Sequence, residues 1–313
     1  MKLLLLSKEN VPMAKGEAEA ILGDGKLIDN VLLLNTKKKT NRLAYTRMIL
    51  NLLFEADNNN IGQKIKKFNW NKAVKGSFAL SFLENHDQIS QSLSRKYGGM
   101  IYDLLKSPKV DLDDPKTKIL IIESNKKLFI GTLEWENNEG FHERSPDLRP
   151  GHQPVTVTPR FARACVNLTG SNSQIYDPFC GVGGFLIEAG LMKLKVIGSD
   201  YEEKMLHLCK KNLNHYKIRN YKIFKQDALK IKKRYDYIVT DPPYGKGSKV
   251  IGKDLYSNFI KTLNKCLTKR AVVIFPHYIK AQNLLKNNKL KIRAKYPFYI
   301  HKSLTREVFV LEK

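Results

Sequence analysis

The chain has 313 residues, a formal net charge of +25 and four cysteines, a length that favours two domains with enough chain for at least one substantial core. Its apolar runs, such as residues 3–6 and 31–34, fall far short of the roughly 18 residues that would cross a bilayer, which speaks against a membrane protein. Cys165, Cys180, Cys209 and Cys266 have neither CxxC spacing nor clustered histidines, so a zinc site or disulfide framework is disfavoured and the expectation is reduced packing cysteines in a cytoplasmic protein.

Charge is unevenly distributed. Residues 153–313 carry 31 Lys and Arg against 11 Asp and Glu, a net +20, whereas residues 1–152 carry 24 against 19. A field of that sign attracts a polyanion, and nucleic acid is the commonest one. The alternatives are a surface that is lysine-rich throughout, and an anionic membrane. The charge is spread along the chain and not gathered on one amphipathic helix, which argues against the membrane.

The first residues, Met1-Lys2-Leu3, open like a signal peptide, but the apolar stretch ends at Ser7-Lys8-Glu9 without a small-residue cleavage site, so residues 3–6 read as a strand. A helix is predicted over 14–22, a strand over 26–35, and a helix over 42–56 from apolar spacing at Leu43, Ile49, Leu50, Leu53 and Phe54. Strand 77–83, a helix over 89–105 interrupted at Gly98-Gly99, and paired strands 118–123 and 128–133 complete a split βαβ rhythm. Between 136 and 153 the pattern dissolves into Asn, Gly, Glu, Arg and Pro. The expected division is an N-terminal module over 1–138, a linker over 139–153 and a second domain over 154–313.

From residue 159 the alternation becomes regular: helix 159–168, then strands 174–177, 195–200, 221–226, 235–240 and 271–275 with helices 185–192, 202–216 and 254–267 between them. That order predicts an α/β fold with a mostly parallel, doubly wound sheet. Segments 290–295, 298–301 and 307–311 have no helix between them, so they are expected to close the sheet as an antiparallel hairpin.

Four acids fall at predicted carboxyl ends of strands in this domain. The first βα turn is Asp177-Pro178-Phe179-Cys180-Gly181-Val182-Gly183-Gly184, where glycines let the backbone approach a ligand and Asp177 can accept from an ammonium or ordered water. It is no phosphate loop: the GxxxxGK[ST] lysine is missing and an acid at the mouth would repel pyrophosphate. Asp200 ends the next strand about twenty residues beyond, the spacing at which an acid reaches ribose hydroxyls, and Asp227 follows in Gln226-Asp227-Ala228. Asp241 opens Asp241-Pro242-Pro243-Tyr244. Singly, each acid could be a helix cap or turn residue. Together they suit a cofactor with ammonium, sulfonium and sugar hydroxyls but no phosphate.

DPFCGVGG, the Asp of GSD, the Asp of QDA and DPPYG, in this order, resemble the motifs of class I S-adenosylmethionine-dependent methyltransferases that modify exocyclic amines. FHERSPDLRPGHQPVTVTPRFARACVNLTG and the terminal HKSLTREVFVLEK are similar to segments of the archaeal and eukaryotic tRNA guanosine N2-methyltransferases acting at tRNA position 10, and LAYTR and KVDLDDPKTKILII resemble their ferredoxin-like and THUMP modules. The resemblance implies a Rossmann-like class I methyltransferase sheet behind an α+β ferredoxin-like and THUMP RNA-binding module. It implies S-adenosylmethionine as cofactor, held by Asp177, Phe179, Gly181, Gly183, Gly184, Asp200, Tyr201, Asp227 and Ala228, with Asp241, Pro242, Pro243 and Tyr244 catalytic and no metal. tRNA is the implied partner, and related enzymes often work with a small activator subunit. One departure is Gly151-His152-Gln153-Pro154, where a His-Pro pair is usual, which puts a role for His152 in doubt.

The chemistry of DPPY follows from its nucleophile. An exocyclic amine delocalises its lone pair into the ring and attacks poorly until both N–H groups are held, and the Asp241 carboxylate and Pro242 carbonyl are two acceptors for them. Pro242-Pro243 stiffen the turn, and Tyr244 offers a stacking face worth about 1–3 kcal/mol per base. DPPY alone leaves open another tRNA position, an adenine N6 or cytosine N4 amine in RNA or DNA, and a non-catalytic RNA-binding factor. Residues 245–249, GKGSK, read as a basic loop that closes over the substrate. If the basic surface is the binding face, RNA affinity measured by filter binding falls steeply between 50 and 200 mM salt, on the order of 10³-fold or more for six or more phosphate contacts; a flat salt response would exclude it.

Overall fold

The computed structural model describes residues 1–83, 87–153, 156–244, 253–286 and 288–313; the loop 245–249 expected to close over substrate lies outside them. Two compact units emerge, one comprising Met1–Val11, Leu22–Asn41 and Thr46–Asn138, the other Pro12–Ile21, Arg42–Tyr45 and Glu139–Lys313.

The first unit is a seven-stranded sheet made of β1 (Lys2–Leu6), β2 (Lys26–Ile28), β3 (Val31–Leu34), β4 (Thr46–Ala56), β5 (Phe78–Leu83), β6 (Thr117–Ser124) and β7 (Lys127–Glu136), in the order β2-β3-β1-β4-β7-β6-β5. Neighbours are antiparallel except β5 with β6. Alternate residues of β6 divide between two apolar clusters, Ile119 and Ile121 on one side and Leu120 and Ile122 on the other, as a period of two requires of a sheet covered on both faces.

That double cover explains the main correction to the sequence-based expectation. Residues 46–56 form a strand, not the end of a helix. β4 pairs with β1 and β7 at the centre of the sheet, and its run MILNLLF is apolar on both faces, so it carries no alternation to distinguish it from a helical stripe. The expected strand 26–35 is instead the hairpin β2–β3, turning at Asp29 with φ of 49°, the positive φ that a two-residue hairpin turn demands. The helix Asp87–Tyr102 runs through Gly98-Gly99 without a break.

The second unit contains β8 (Gln174–Asp177), β9 (Lys195–Asp200), β10 (Tyr221–Lys225), β11 (Tyr235–Thr240), β12 (Leu267–Pro276), β13 (Lys291–His301) and β14 (Leu304–Glu312), in the order β10-β9-β8-β11-β12-β14-β13. β8 to β12 are parallel; β14 inserts antiparallel between β12 and β13. The two final segments expected on either side of Pro297 are one continuous strand, β13, which tolerates a proline because it lies at the sheet edge. Residues 139–151 are packed into this unit: Arg144 donates to Glu188 at 3.0 Å, and Gly151 exchanges hydrogen bonds with the Asn212 side chain at 2.8 and 3.0 Å. All four cysteines are free and buried.

Trp70 anchors the core of the first unit. It is 1% exposed, donates its indole N–H to the Ile65 carbonyl at 2.9 Å, and meets the Phe68 ring at 4.9 Å and the Phe54 ring at 6.1 Å. Trp70→Ala is expected to cost about 3–5 kcal/mol, read from the denaturation midpoint by circular dichroism; an unchanged midpoint would mean that this cluster does not hold the unit together.

Candidate active site

The chain leaves β8 toward β9 on one side, while β11 lies on its other side. In an open α/β sheet, ligands bind in the crevice that such a switch opens at the strands' carboxyl ends. A cavity of about 840 Å³ lies there. Its wall includes Asp177, Phe179, Gly181, Gly184, Asp200, Tyr201, Asp227, Ala228, Asp241, Pro242, Pro243 and Tyr244, so twelve of the thirteen site residues expected from sequence converge on one space. A smaller cavity of about 200 Å³, lined by residues such as Tyr176, Lys222 and Tyr235, shares none of them.

Gly183 is the exception. It is absent from the cavity wall, and it caps the helix Gly184–Leu191 in the left-handed region with φ of 91°. Gly184 is needed for close approach, since a β-carbon there would lie 2.7 Å from a Val157 methyl. The turn is braced from two sides. Asp200 accepts from the Gly181 N–H at 2.8 Å and the Glu202 N–H at 3.0 Å, and Asn212 donates to the Val182 carbonyl at 2.9 Å. Asp200 therefore holds the glycine turn in addition to facing the cavity, and burial raises its carboxyl above the ordinary value. Asp227 caps the short turn Ala228–Lys230 by accepting from the Leu229 N–H at 2.9 Å.

Asp177 is 1% exposed. One of its oxygens accepts from Thr240 Oγ at 2.7 Å and from the Phe179 N–H at 3.1 Å, which ties the end of β8 to the end of β11. No cation pairs with it among the described residues, and burial pushes its carboxyl up to about 8. A buried acid that lacks only a positive partner is a fit site for an ammonium group.

Asp241 is held differently. Tyr244 donates to its Oδ1 at 2.5 Å, Arg306 Nη2 lies 3.4 Å from its Oδ2, and Arg306 Nε donates to the Tyr244 hydroxyl at 3.0 Å. Burial raises Asp241 to about 6 against the opposing pull of Arg306. Tyr256, 1% exposed, donates to the Pro243 carbonyl at 2.9 Å and so fixes the turn between the two prolines and Tyr244.

Sequence reasoning did not find Thr240, Tyr256, Asn212 or Arg306. Thr240 stands immediately before the DPPY turn and could have been suspected from that position; the others lie far along the chain and no local pattern marks them. His152 is exposed and contacts the Pro146 carbonyl at 3.0 Å, while its neighbour Gln153 lines the cavity. The rim also carries Glu202, Tyr278, His301 and Ser303.

Residues 146–307 match a family model described as UPF0020: RMKL-like, methyltransferase domain. The chain is 31% identical to the tRNA (guanine(10)-N2)-dimethyltransferase of Methanothermobacter thermautotrophicus, with 99% of each chain covered. It is 35% identical to the protein of the same name from Pyrococcus abyssi over 79% of this chain and 78% of that one. The crystal structure of TrmN from Thermus thermophilus, 18% identical, covers 100% of this chain and 99% of its own with a TM-score of 0.52, a likeness of fold.

Asp177 makes stability depend on pH. Its carboxyl titrates near 8 when folded and near 3.8 otherwise, so the folded state keeps a proton that the unfolded state releases. Its contribution is full below the unfolded value and is lost as pH rises through the folded one. The isosteric Asp177→Asn is expected to flatten the decline between about pH 4 and 8 and to exceed the wild type in stability at the alkaline end. Parallel melting-temperature profiles for the two proteins would remove the burial account.

Proposed function

Because the chain belongs to the tRNA (guanine(10)-N2)-dimethyltransferase family, we propose that it transfers methyl groups from S-adenosylmethionine to the N2 amine of a guanosine in tRNA, at position 10. The observation that carries this is that Asp241 and Pro242, adjacent at the end of β11, both lie on the wall of the switch-point cavity. The donor supplies a methyl group on a positively charged sulfur.

The residues on the cavity wall suit that donor. Asp177 receives the ammonium, which returns its carboxyl to the ionised form. The acids at the end of β9, Asp200 and its rim neighbour Glu202, accept from ribose hydroxyls, with Tyr201 beside them. Asp227 and Ala228 face the base of the nucleoside, and Phe179 adds apolar wall.

The guanine amine donates its two protons to Asp241 and the Pro242 carbonyl, which directs the nitrogen lone pair at the methyl carbon. Pro243's carbonyl is already taken by Tyr256, which leaves that of Pro242 for the substrate. Methyl transfer would place positive charge on the nitrogen, and the ionised Asp241 would stabilise it. The surplus proton then leaves the nitrogen for Asp241 or water. With its carboxyl near 6, Asp241 is a better proton acceptor than an ordinary carboxylate and is still mostly ionised at pH 7. Tyr244 supplies the stacking face. The first unit is the module that grips folded tRNA, in the manner of ferredoxin-like and THUMP domains, and a small activator subunit stays an expectation of the resemblance.

The experiment is nucleoside mass spectrometry of unmodified tRNA incubated with the protein and S-adenosylmethionine. N2-methylated guanosine mapping to position 10 is expected. Asp241→Ala is expected to lower single-turnover rates by roughly 10²–10³-fold while calorimetric binding of S-adenosylmethionine stays within a few fold. Methylation of an adenine or cytosine amine, or an Asp241→Ala variant with undiminished rates, would refute the assignment.

A further inference from the structure

Arg306 sits on β14, opposite Pro276 of β12 and Phe298 of β13. It is 7% exposed, and its guanidinium lies 5.7 Å from the Phe161 ring centre and 5.9 Å from that of Tyr244. Its two donors address the two oxygens of one carboxylate. Nη2 reaches Asp241 Oδ2 directly, and Nε reaches Oδ1 through the Tyr244 hydroxyl.

The chemistry of the three groups fixes the direction of every bond in this ring. A guanidinium only donates. The Tyr244 hydroxyl must therefore accept from Arg306, and its one proton goes to Asp241 Oδ1. A proton on that oxygen would meet a hydroxyl already pointing its own proton inward. The arrangement thus favours the bare carboxylate, which is the form able to accept from an N–H.

The other titratable groups facing Asp241 are neutral where it ionises. Burial, with the Asp241 charge adding to it, raises the carboxyl of Asp177 on β8 to about 8 and raises the thiol of Cys165 on the helix Pro159–Leu168, so both keep their protons while Asp241 is ionised. Tyr256, on the helix Lys253–Cys266, is neutral in the ordinary range, since burial and Asp241 raise its phenol. Among the described residues only Arg306 brings a positive charge to this carboxylate.

We propose that Arg306 is a positioning residue for methyl transfer, holding Asp241 ionised and oriented through a direct contact to one carboxylate oxygen and a Tyr244-relayed contact to the other. The proposal deepens the functional reading above and rests on it. Arg306 touches no substrate; it acts through Asp241 and Tyr244. The Tyr244 ring is held by the same guanidinium, so the stacking face and the amine acceptor are set together. Lysine would keep the charge and lose the fork, because an ammonium is a point donor on a flexible stem and does not reproduce both contacts together.

The test is the pH dependence of single-turnover methylation at saturating cofactor for wild type, Arg306→Met, Arg306→Lys and Asp241→Asn, with cofactor binding followed by calorimetry as a check on folding. In Arg306→Met the acidic limb is expected to move up by at least one pH unit, roughly a fivefold or greater extra loss of rate at pH 6, with partial recovery at pH 8 and cofactor affinity within a few fold of wild type. Arg306→Lys is expected to keep the limb near its wild-type position with a lower plateau, which separates charge from geometry and serves if the methionine variant does not fold. A wild-type limb in Arg306→Met, or a limb in Arg306→Lys shifted as far as total charge loss would shift it, overturns the proposal while a dead Asp241→Asn leaves the acceptor reading standing. Wild-type turnover in Asp241→Asn overturns both.

Discussion

Two carboxylates enter one low-dielectric crevice from adjacent strands, and the protein supplies a cation to only one of them. Asp241 at the end of β11 has Arg306; Asp177 at the end of β8 has hydroxyl and amide donors but no positive partner among the described residues. The difference registers in their acidities, about 6 for the first and about 8 for the second. A charge buried without a partner is costly, and the usual escape is to take up a proton. The crevice therefore stands ready for a ligand that brings the missing positive charge to β8, while its β11 side is charged in advance. In the proposed reaction, that asymmetry is what divides a cofactor side from a substrate side.

Holding two acids in such positions asks for a stiff frame, and the second unit provides one in tiers. Thr240 bridges β11 to Asp177, Asp200 and Asn212 pin the glycine turn, and Tyr256 fixes the Pro243 carbonyl. Further out, the fully buried Glu188 on the helix Gly184–Leu191 lies between Arg144 and Arg163, with Glu139 bridging the same two arginines. Glu17 accepts from the Ala44 and Tyr45 amides and from Asn167, so residues from two early segments are bound into the unit. Paired and hydrogen-bonded in this way, buried ions specify one arrangement more than they add stability.

The parts of this picture that were legible in sequence are those written locally. DPPY, the glycine turn and the acids ending GSD and QDA are contiguous motifs at strand ends, and the parallel alternation that orders them has a clear period. β4 was misassigned as a helix because a strand buried on both faces loses alternation, the signal by which strands are recognised. Arg306 was invisible for another reason: its partnership with Asp241 spans sixty-five positions and is created by the register of β14 between β12 and β13. The same holds for Tyr256 and Asn212, whose hydrogen bonds are long-range and whose residue types attract no notice by themselves. Gly183 was assigned to the cofactor by its place in a motif, and its left-handed φ accounts for a glycine there without any ligand contact.

The aromatic cluster around Trp70 has a spectroscopic corollary. Both tryptophans of the chain, Trp70 and Trp135, belong to the first unit, so indole emission reports on that unit alone. Tyrosine absorbance draws on the second unit too, through rings such as Tyr201, which is 72% exposed on the cavity rim. Tryptophan marks the first unit alone while tyrosine is shared by both, so a change in tyrosine absorbance without one in indole emission points to the second unit.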